Sequence, residues 1–355
     1  MAGTGKPVTE PALLERLRGA VARQLVRLPD GLQILLSGQP PVEVDGQTLD
    51  VSTQLLLALR PAREGLMDSG VVESRARLRR EVRSIQGRLT PVGAVKDLTI
   101  EGAAGPLRAR HYAPPQAAGA PLLVYYHGGG FVLGDLDTHE EACRLLCRHA
   151  GQHVLSVDYR LAPEHPFPAP LDDAVAAFRW GAAHATELGA DPARVAVGGD
   201  SAGGTLAAVV SLLTRGEAVR PMAQLLIYPA TDRNTPRPSH QLFDRRFFLT
   251  FEDRNAFYGH YLGESGASTD DPRISPLRAA DLSGVPPALV VIAGFDILRD
   301  EGQAYAAALE AAGVPVAIHR EAGLGHGWVN MTGVCPAARD GLVAVARQWA
   351  GIVAG

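Results

Sequence analysis

The run Arg194-Val195-Ala196-Val197-Gly198-Gly199-Asp200-Ser201-Ala202-Gly203 decides the fold of this chain. Residues 194–198 form a short apolar segment of strand character, and 205–213 form an apolar helical stretch. Between them lies a Gly-x-Ser-x-Gly pentapeptide, residues 199–203, so the serine sits where a strand turns sharply into a helix. Such a turn strains the backbone of its central residue and leaves no room for side chains on either side, which is why both flanking positions are glycine. It lifts the hydroxyl above the strand end and sets a helix N-terminus beneath it. Ser201 is the candidate nucleophile.

Outward from this turn, short apolar runs recur at 122–126, 153–157, 225–228, 288–292 and 316–319, separated by helical stretches. Runs this short, alternating with helices, predict an α/β fold with a mostly parallel sheet covered on both faces. Residues 96–100 and 107–112 alternate around Gly102–Gly105 and predict an antiparallel hairpin at its start. Residues 231–286 separate two strands by far more than a crossover needs, and they carry Phe243, Phe247, Phe248, Phe251, Phe257, Tyr258 and Tyr261. An insertion of that length and composition predicts a lid. Residues 1–91 read as helical, at 11–28, 50–59 and 74–85. The basic run Arg75, Arg77, Arg79, Arg80 and Arg83 is interrupted by Glu81 and reads as a solvated helix face. The expected organisation is an N-terminal helical segment, 1–91, and a catalytic domain, 92–355, with the insertion inside it.

The whole-chain totals narrow the class. A length of 355 residues buries a large core, and 46% hydrophobic with 20% charged residues is ordinary for a globular protein. A net charge of −4 with mixed signs gives no footing for nucleic-acid binding. Three cysteines are too few for a disulfide framework. Cys143 and Cys147 share a helix face, but no His or Cys cluster completes a metal site, so they read as small apolar residues and no metal is expected. No apolar stretch approaches the ~20 residues of a membrane span. The N-terminus lacks a secretory layout, so the expected location is cytoplasmic.

A serine hydroxyl becomes a nucleophile only with a base beside it and an acid orienting that base. In strand–turn–helix serine enzymes the chain order is Ser, then acid, then His. Asp296 closes the stretch 288–296 at a strand end, whereas Asp300 and Glu301 fall in the next helix's first turn, where acids favour the N-terminus anyway. Strand-end position selects Asp296. His326 lies in Gly323-Leu324-Gly325-His326-Gly327-Trp328, after the following strand, with glycines that let the ring reach the serine. His319, inside that strand, reads as packing or solvent-facing. Upstream, His127-Gly128-Gly129-Gly130 follows the strand 122–126 and bares backbone N–H groups, the donors an acyl-transfer oxyanion needs. Ala202 N–H would complete the set. His127 comes too early in the chain to be the base and is expected to orient its own loop.

Together these residues resemble the hormone-sensitive-lipase family of carboxylesterases, the bacterial family IV. The matching stretches are residues 126–131, 158–164 (Asp-Tyr-Arg-Leu-Ala-Pro-Glu), 199–204, 296–301 and 326–328. The resemblance covers roughly residues 92–350. It implies an α/β-hydrolase fold of eight strands with a helical cap built from the N-terminal segment and the insertion. It also implies a triad of Ser201, Asp296 and His326, and oxyanion donors at Gly128, Gly129, Gly130 and Ala202, Gly129 foremost. The family expectation is a small-molecule ester substrate with short acyl chains, no cofactor, and a homodimer through the last strand's edge. Phe131, Asp200, Phe247, Phe248 and Trp328 are candidate pocket residues. Ile297 stands where the family commonly has proline, and Trp328 where it often has phenylalanine. The stretch 159–168, with Arg160 and Glu164, reads as bracing for the site. Amide or lactone hydrolysis by the same triad remains an alternative, as does a ligand-binding protein on the same scaffold. Receptors of that kind have lost the histidine that is present here.

Overall fold

A computed structural model describes residues 13–60, 65–244 and 247–354. The chain begins with α1 (Leu13–Leu25) and α2 (Asp30–Ser37), then a small hairpin of β1 (Glu43–Val44) and β2 (Gln47–Thr48). Two further helices follow, α3 (Val51–Leu59) and α4 (Val71–Ile85). Asp50 caps α3, its side chain accepting the Thr53 N–H at 2.7 Å. The predicted helix at 11–28 begins outside the described residues and, within them, ends at Leu25. The second helix α2 and the hairpin have no counterpart in the sequence reading, because such short elements carry too few residues for a periodicity.

The sheet is built from β3 (Ala94–Gly102), β4 (Gly105–Ala113), β5 (Ala120–Tyr126), β6 (His153–Asp158) and β7 (Ala190–Asp200). It is completed by β8 (Gln224–Ile227), β9 (Ala288–Phe295) and β10 (Val316–Gly325). The helices are α5 (Glu140–Ala150), α6 (Ala169–Ala183), α7 (Ala202–Thr214), α8 (Pro238–Leu242), α9 (Phe251–Leu262), α10 (Arg299–Ala311) and α11 (Pro336–Val353). The eight strands lie in the order β10-β9-β8-β7-β5-β6-β4-β3. β3 pairs antiparallel with β4, and β4 with β6; every other neighbour is parallel.

Burial explains the unbroken apolar strands. Every residue of β5 and of β9 is buried, because helices cover both faces. Leu122, Val124 and Tyr126 face the core formed with α6, α7 and α10. Leu123 and Tyr125 face the opposite core, with α5 and α11, where Cys143 and Cys147 are packed. A third apolar cluster joins Val132, Leu133, Phe295 and Ile297 to Phe243, Phe247 and Phe257 of the 231–286 insertion. Val42, Leu57, Met67, Val71 and Leu78 of the N-terminal segment pack against the same cluster. The two segments that interrupt or precede the sheet pattern therefore share one core.

The expectation of a solvated arginine face on α4 does not hold. Arg75 pairs with Glu164 at 2.7 Å, Arg79 with Asp135 at 2.5 Å and Arg83 with Asp137 at 2.9 Å. The partners lie 54 to 89 residues away in sequence, so interruption by Glu81 said nothing about them.

Candidate active site

β7 runs into α7 through Ser201, whose φ of 53° lies in the left-handed region. A Cβ on Gly203 would meet the Tyr126 carbonyl oxygen at 1.9 Å, and one on Gly199 would meet it at 2.3 Å. The glycines are thus required by the close approach of the end of β5 to the β7–α7 turn, at whose centre the serine carries the strained backbone. Ser201 N–H donates to the Ile227 carbonyl at 2.8 Å, fixing the turn to β8 as well.

His326 comes from the loop after β10. Its Nε2 lies 2.8 Å from Ser201 Oγ and its Nδ1 lies 2.7 Å from Asp296 Oδ2. The other carboxylate oxygen of Asp296 accepts the Leu298 N–H at 2.8 Å, so the acid is locked at the end of β9. The two competing acids are spent elsewhere. Asp300 accepts from Ser239 N–H and Arg299, and Glu301 from Thr231 N–H and Arg254. His319 binds Gln348 and Glu321, away from the serine.

The glycine run after β5 faces the same turn. Gly129 and Gly130 adopt φ of 121° and 63°, and a Cβ on Gly130 would strike the Phe257 ring at 2.2 Å. Gly128 is the exception among the expected donors: its N–H is committed to Asp200 Oδ1 at 2.9 Å, which removes it from the set. Ala202 is the first residue of α7, whose N–H has no intrahelical acceptor. That leaves Gly129, Gly130 and Ala202 of the expected set.

Asp200, a candidate pocket residue, is buried and committed to neighbours within the fold. It accepts from Tyr125 Oη at 2.8 Å and from Gly128 N–H, and His139 Nε2 stands 3.3 Å away. Burial works against its charge, but His139, Tyr125 and Gly128 outweigh burial and hold the carboxyl below its ordinary range. Asp200 is a buried anchor for the glycine loop. His127 donates from the same loop to the Gly128 carbonyl at 2.9 Å and stacks on Tyr159, whose Oη donates to the His127 carbonyl at 2.6 Å. Burial, and then His139, push the His127 ring down to about 4, so it is neutral. Arg160 is held by Asp173 at 2.7 Å. The roles of Tyr125 and Arg75 were invisible in sequence, because a strand tyrosine and a helical arginine read as ordinary packing, whereas Tyr159 falls in the stretch expected to brace the site.

A family model described as the alpha/beta hydrolase fold matches residues 123–330, a span that contains Ser201, Asp296, His326 and the glycine run 128–130. The carboxylic ester hydrolase LipN of Mycobacterium tuberculosis is 47% identical over 329 residues, covering 89% of this chain and 87% of its own. The chain belongs to the hormone-sensitive-lipase-like carboxylesterases of the α/β-hydrolase fold. The ethyl acetate hydrolase of Pseudomonas putida, also similar, is 40% identical over 280 residues, 77% of this chain and 87% of its own. The solved structure of a thermostable esterase from Pseudomonas putida superposes with a TM-score of 0.82 at 32% identity, covering 88% of this chain and 99% of that one.

The remaining pocket candidates of this carboxylesterase divide by environment. Phe248 is half-buried against Gly325, one residue before the histidine, with Arg60 over its ring. Phe131 stacks on Tyr261 at 3.8 Å between ring centroids. Phe247 packs on Phe243 and Phe295 in the third cluster. Trp328 is buried edge-on to Tyr228, whose ring lies 4.8 Å from that of His326. Phe247 and Trp328 are thus packed within the core. Among the described residues no helix is long and apolar enough to cross a membrane.

Proposed function

We propose that this protein hydrolyses short-chain carboxylic esters through an acyl-enzyme on Ser201. The observation that carries the reading is the continuous pair of hydrogen bonds from Ser201 Oγ through His326 to Asp296. His326 Nε2 takes the hydroxyl proton as Oγ forms its bond to the ester carbonyl carbon. The carbonyl oxygen becomes an oxyanion, and Gly129, Gly130 and Ala202 N–H groups hold it. The C–O bond to the alcohol breaks, and the proton on His326 leaves with the alcohol. Water then adds to the acyl-enzyme, with His326 again as base, and the carboxylic acid departs as Ser201 regains its proton. Asp296 holds the imidazole with its proton on Nδ1 and balances the charge of the imidazolium.

Residues 13–91 and the 231–286 insertion form a two-part cap in this reading, supported by their shared apolar cluster over Phe295 and Ile297. Phe131 and Phe248 are the proposed pocket walls. A small acyl group is supported by the name of the ethyl acetate hydrolase relative. The test is a series of p-nitrophenyl esters of increasing acyl length, run with Ser201→Ala as control. The expected result is highest kcat/KM at two to six carbons, and a loss on the order of 10⁶-fold in kcat for the variant. Substantial turnover by folded Ser201→Ala would overturn the mechanism, and faster turnover of an amide or lactone in the same panel would reassign the substrate.

A further inference from the structure

The insertion after β8 carries an open pocket of about 320 Å³, whose walls include Arg233, Arg237, His240, Arg254, Asp244 and Phe251. None of Ser201, Asp296 and His326 lines it. Three arginines and a histidine around one small space repel each other unless acids answer them.

The acids at hand are largely used. Asp232 holds Arg237 at 3.1 Å and Arg278 at 3.3 Å. Glu301, fully buried, gives one oxygen to the Thr231 N–H and the other to Arg254 at 3.2 Å. Asp244, in the pocket wall, accepts the Phe251 N–H at 2.8 Å. Arg233 is left facing a neutral partner: its hydrogen bond goes to Asn255 Oδ1 at 2.7 Å, and burial and Arg254 both press its charge down.

Hydrogen-bond donors are unmet in the same place. Arg237 Nε, His240 Nε2 and Arg254 Nε are buried without a partner. His240 Nδ1 accepts the Arg237 backbone N–H at 3.3 Å, so the ring proton is on Nε2, and that atom stands 3.6 Å from Glu301, beyond a hydrogen bond. Arginines gathered at a pocket, one of them answered only by a neutral amide, complement an oxyanion, and the unmet N–H groups behind them mark the same region as donor-rich.

We propose that this pocket binds a small phosphate- or carboxylate-bearing anion, at a site separate from the ester-hydrolysing serine. The guanidinium groups of Arg233 and Arg237, both in the pocket wall, would meet the anion's oxygens.

The test is calorimetric titration of the full chain with inorganic phosphate and, separately, with acetate, at constant ionic strength. The wild-type protein is compared with Arg233→Gln/Arg237→Gln and with Arg233→Gln alone, circular dichroism confirming each fold. The expected result is saturable one-to-one binding, weakened at least tenfold in the double variant, with p-nitrophenyl acetate hydrolysis unchanged. Tighter phosphate than acetate identifies a phosphate-bearing ligand, and the reverse order a carboxylate-bearing one. Should the double variant not fold, weakened binding in Arg233→Gln supports the site and unaltered binding overturns it. Absence of saturable binding by either anion, or equal affinity in wild type and folded variants, also overturns it.

Discussion

Asp296 and Asp200 stand at the ends of two strands within reach of the same serine, and their partners assign them different tasks. Asp296 offers one oxygen to His326 and the other to a backbone N–H, so an amide there would keep the shape and lose the acceptor. Asp296→Asn is expected to lower kcat on p-nitrophenyl acetate by about 10⁴-fold with little change in KM, because the imidazole is left in the wrong tautomer. Asp200 touches no reacting atom in the mechanism. It holds Gly128 and Tyr125, so Asp200→Asn is expected to act by displacing the glycine loop. A loss of about 10²-fold in kcat, with a lower unfolding temperature, is the expected signature. An unchanged kcat would remove Asp200 from the positioning role. The sequence told the two acids apart only in part. Strand-end position selected Asp296, whereas the inward aim of Asp200 depends on Tyr125 and Gly128, brought near by the pairing of β5 with β7.

At the scale of elements, α4 fastens the N-terminal segment to the loop that follows the glycine run. Arg75 Nε donates to the Val132 carbonyl at 2.7 Å, and its other nitrogens reach the Ala162 carbonyl and Glu164. Charged hydrogen bonds of this kind contribute about 1.5–3 kcal/mol where they are shielded, and the Arg75 side chain is only 16% exposed. Arg75→Met is expected to lower kcat/KM several-fold and to reduce the urea midpoint, while Arg88→Met, on the segment after α4, leaves both unchanged. Equal behaviour of the two variants would show that α4 does not support the loop. The inner strands β5 and β9 were legible because each is apolar and buried along its whole length, the β3–β4 hairpin by its alternation, and α7 because it follows the nucleophile turn. The role of α4 was not legible. An arginine on a helix shows its charge in sequence, but its partner is chosen by tertiary packing.

At the scale of the whole molecule, two buried histidines make the fold sensitive to mild acid. His111 Nε2 lies 2.9 Å from His153 Nδ1 across β4 and β6, and burial followed by His153 pushes His111 down to about 4. His127 beneath the glycine loop is pushed down to about 4 as well. Both folded values lie below the ordinary histidine value of about 6.5. The unfolded chain therefore takes up protons first, and the stabilisation is complete above about 6.5 and is lost as pH falls towards 4. The urea midpoint is expected to decline across that window, and His111→Gln to flatten the decline; a midpoint constant from pH 7 to 4.5 would contradict it. The central claim is that one serine carries the acyl group. Its most direct measurement is labelling with a fluorophosphonate, followed by peptide mapping and residual activity at each level of modification. The account predicts one adduct per chain, on Ser201, with activity falling in proportion to it. Activity that persists when Ser201 is fully modified, or inhibition with the adduct on another residue, would contradict it.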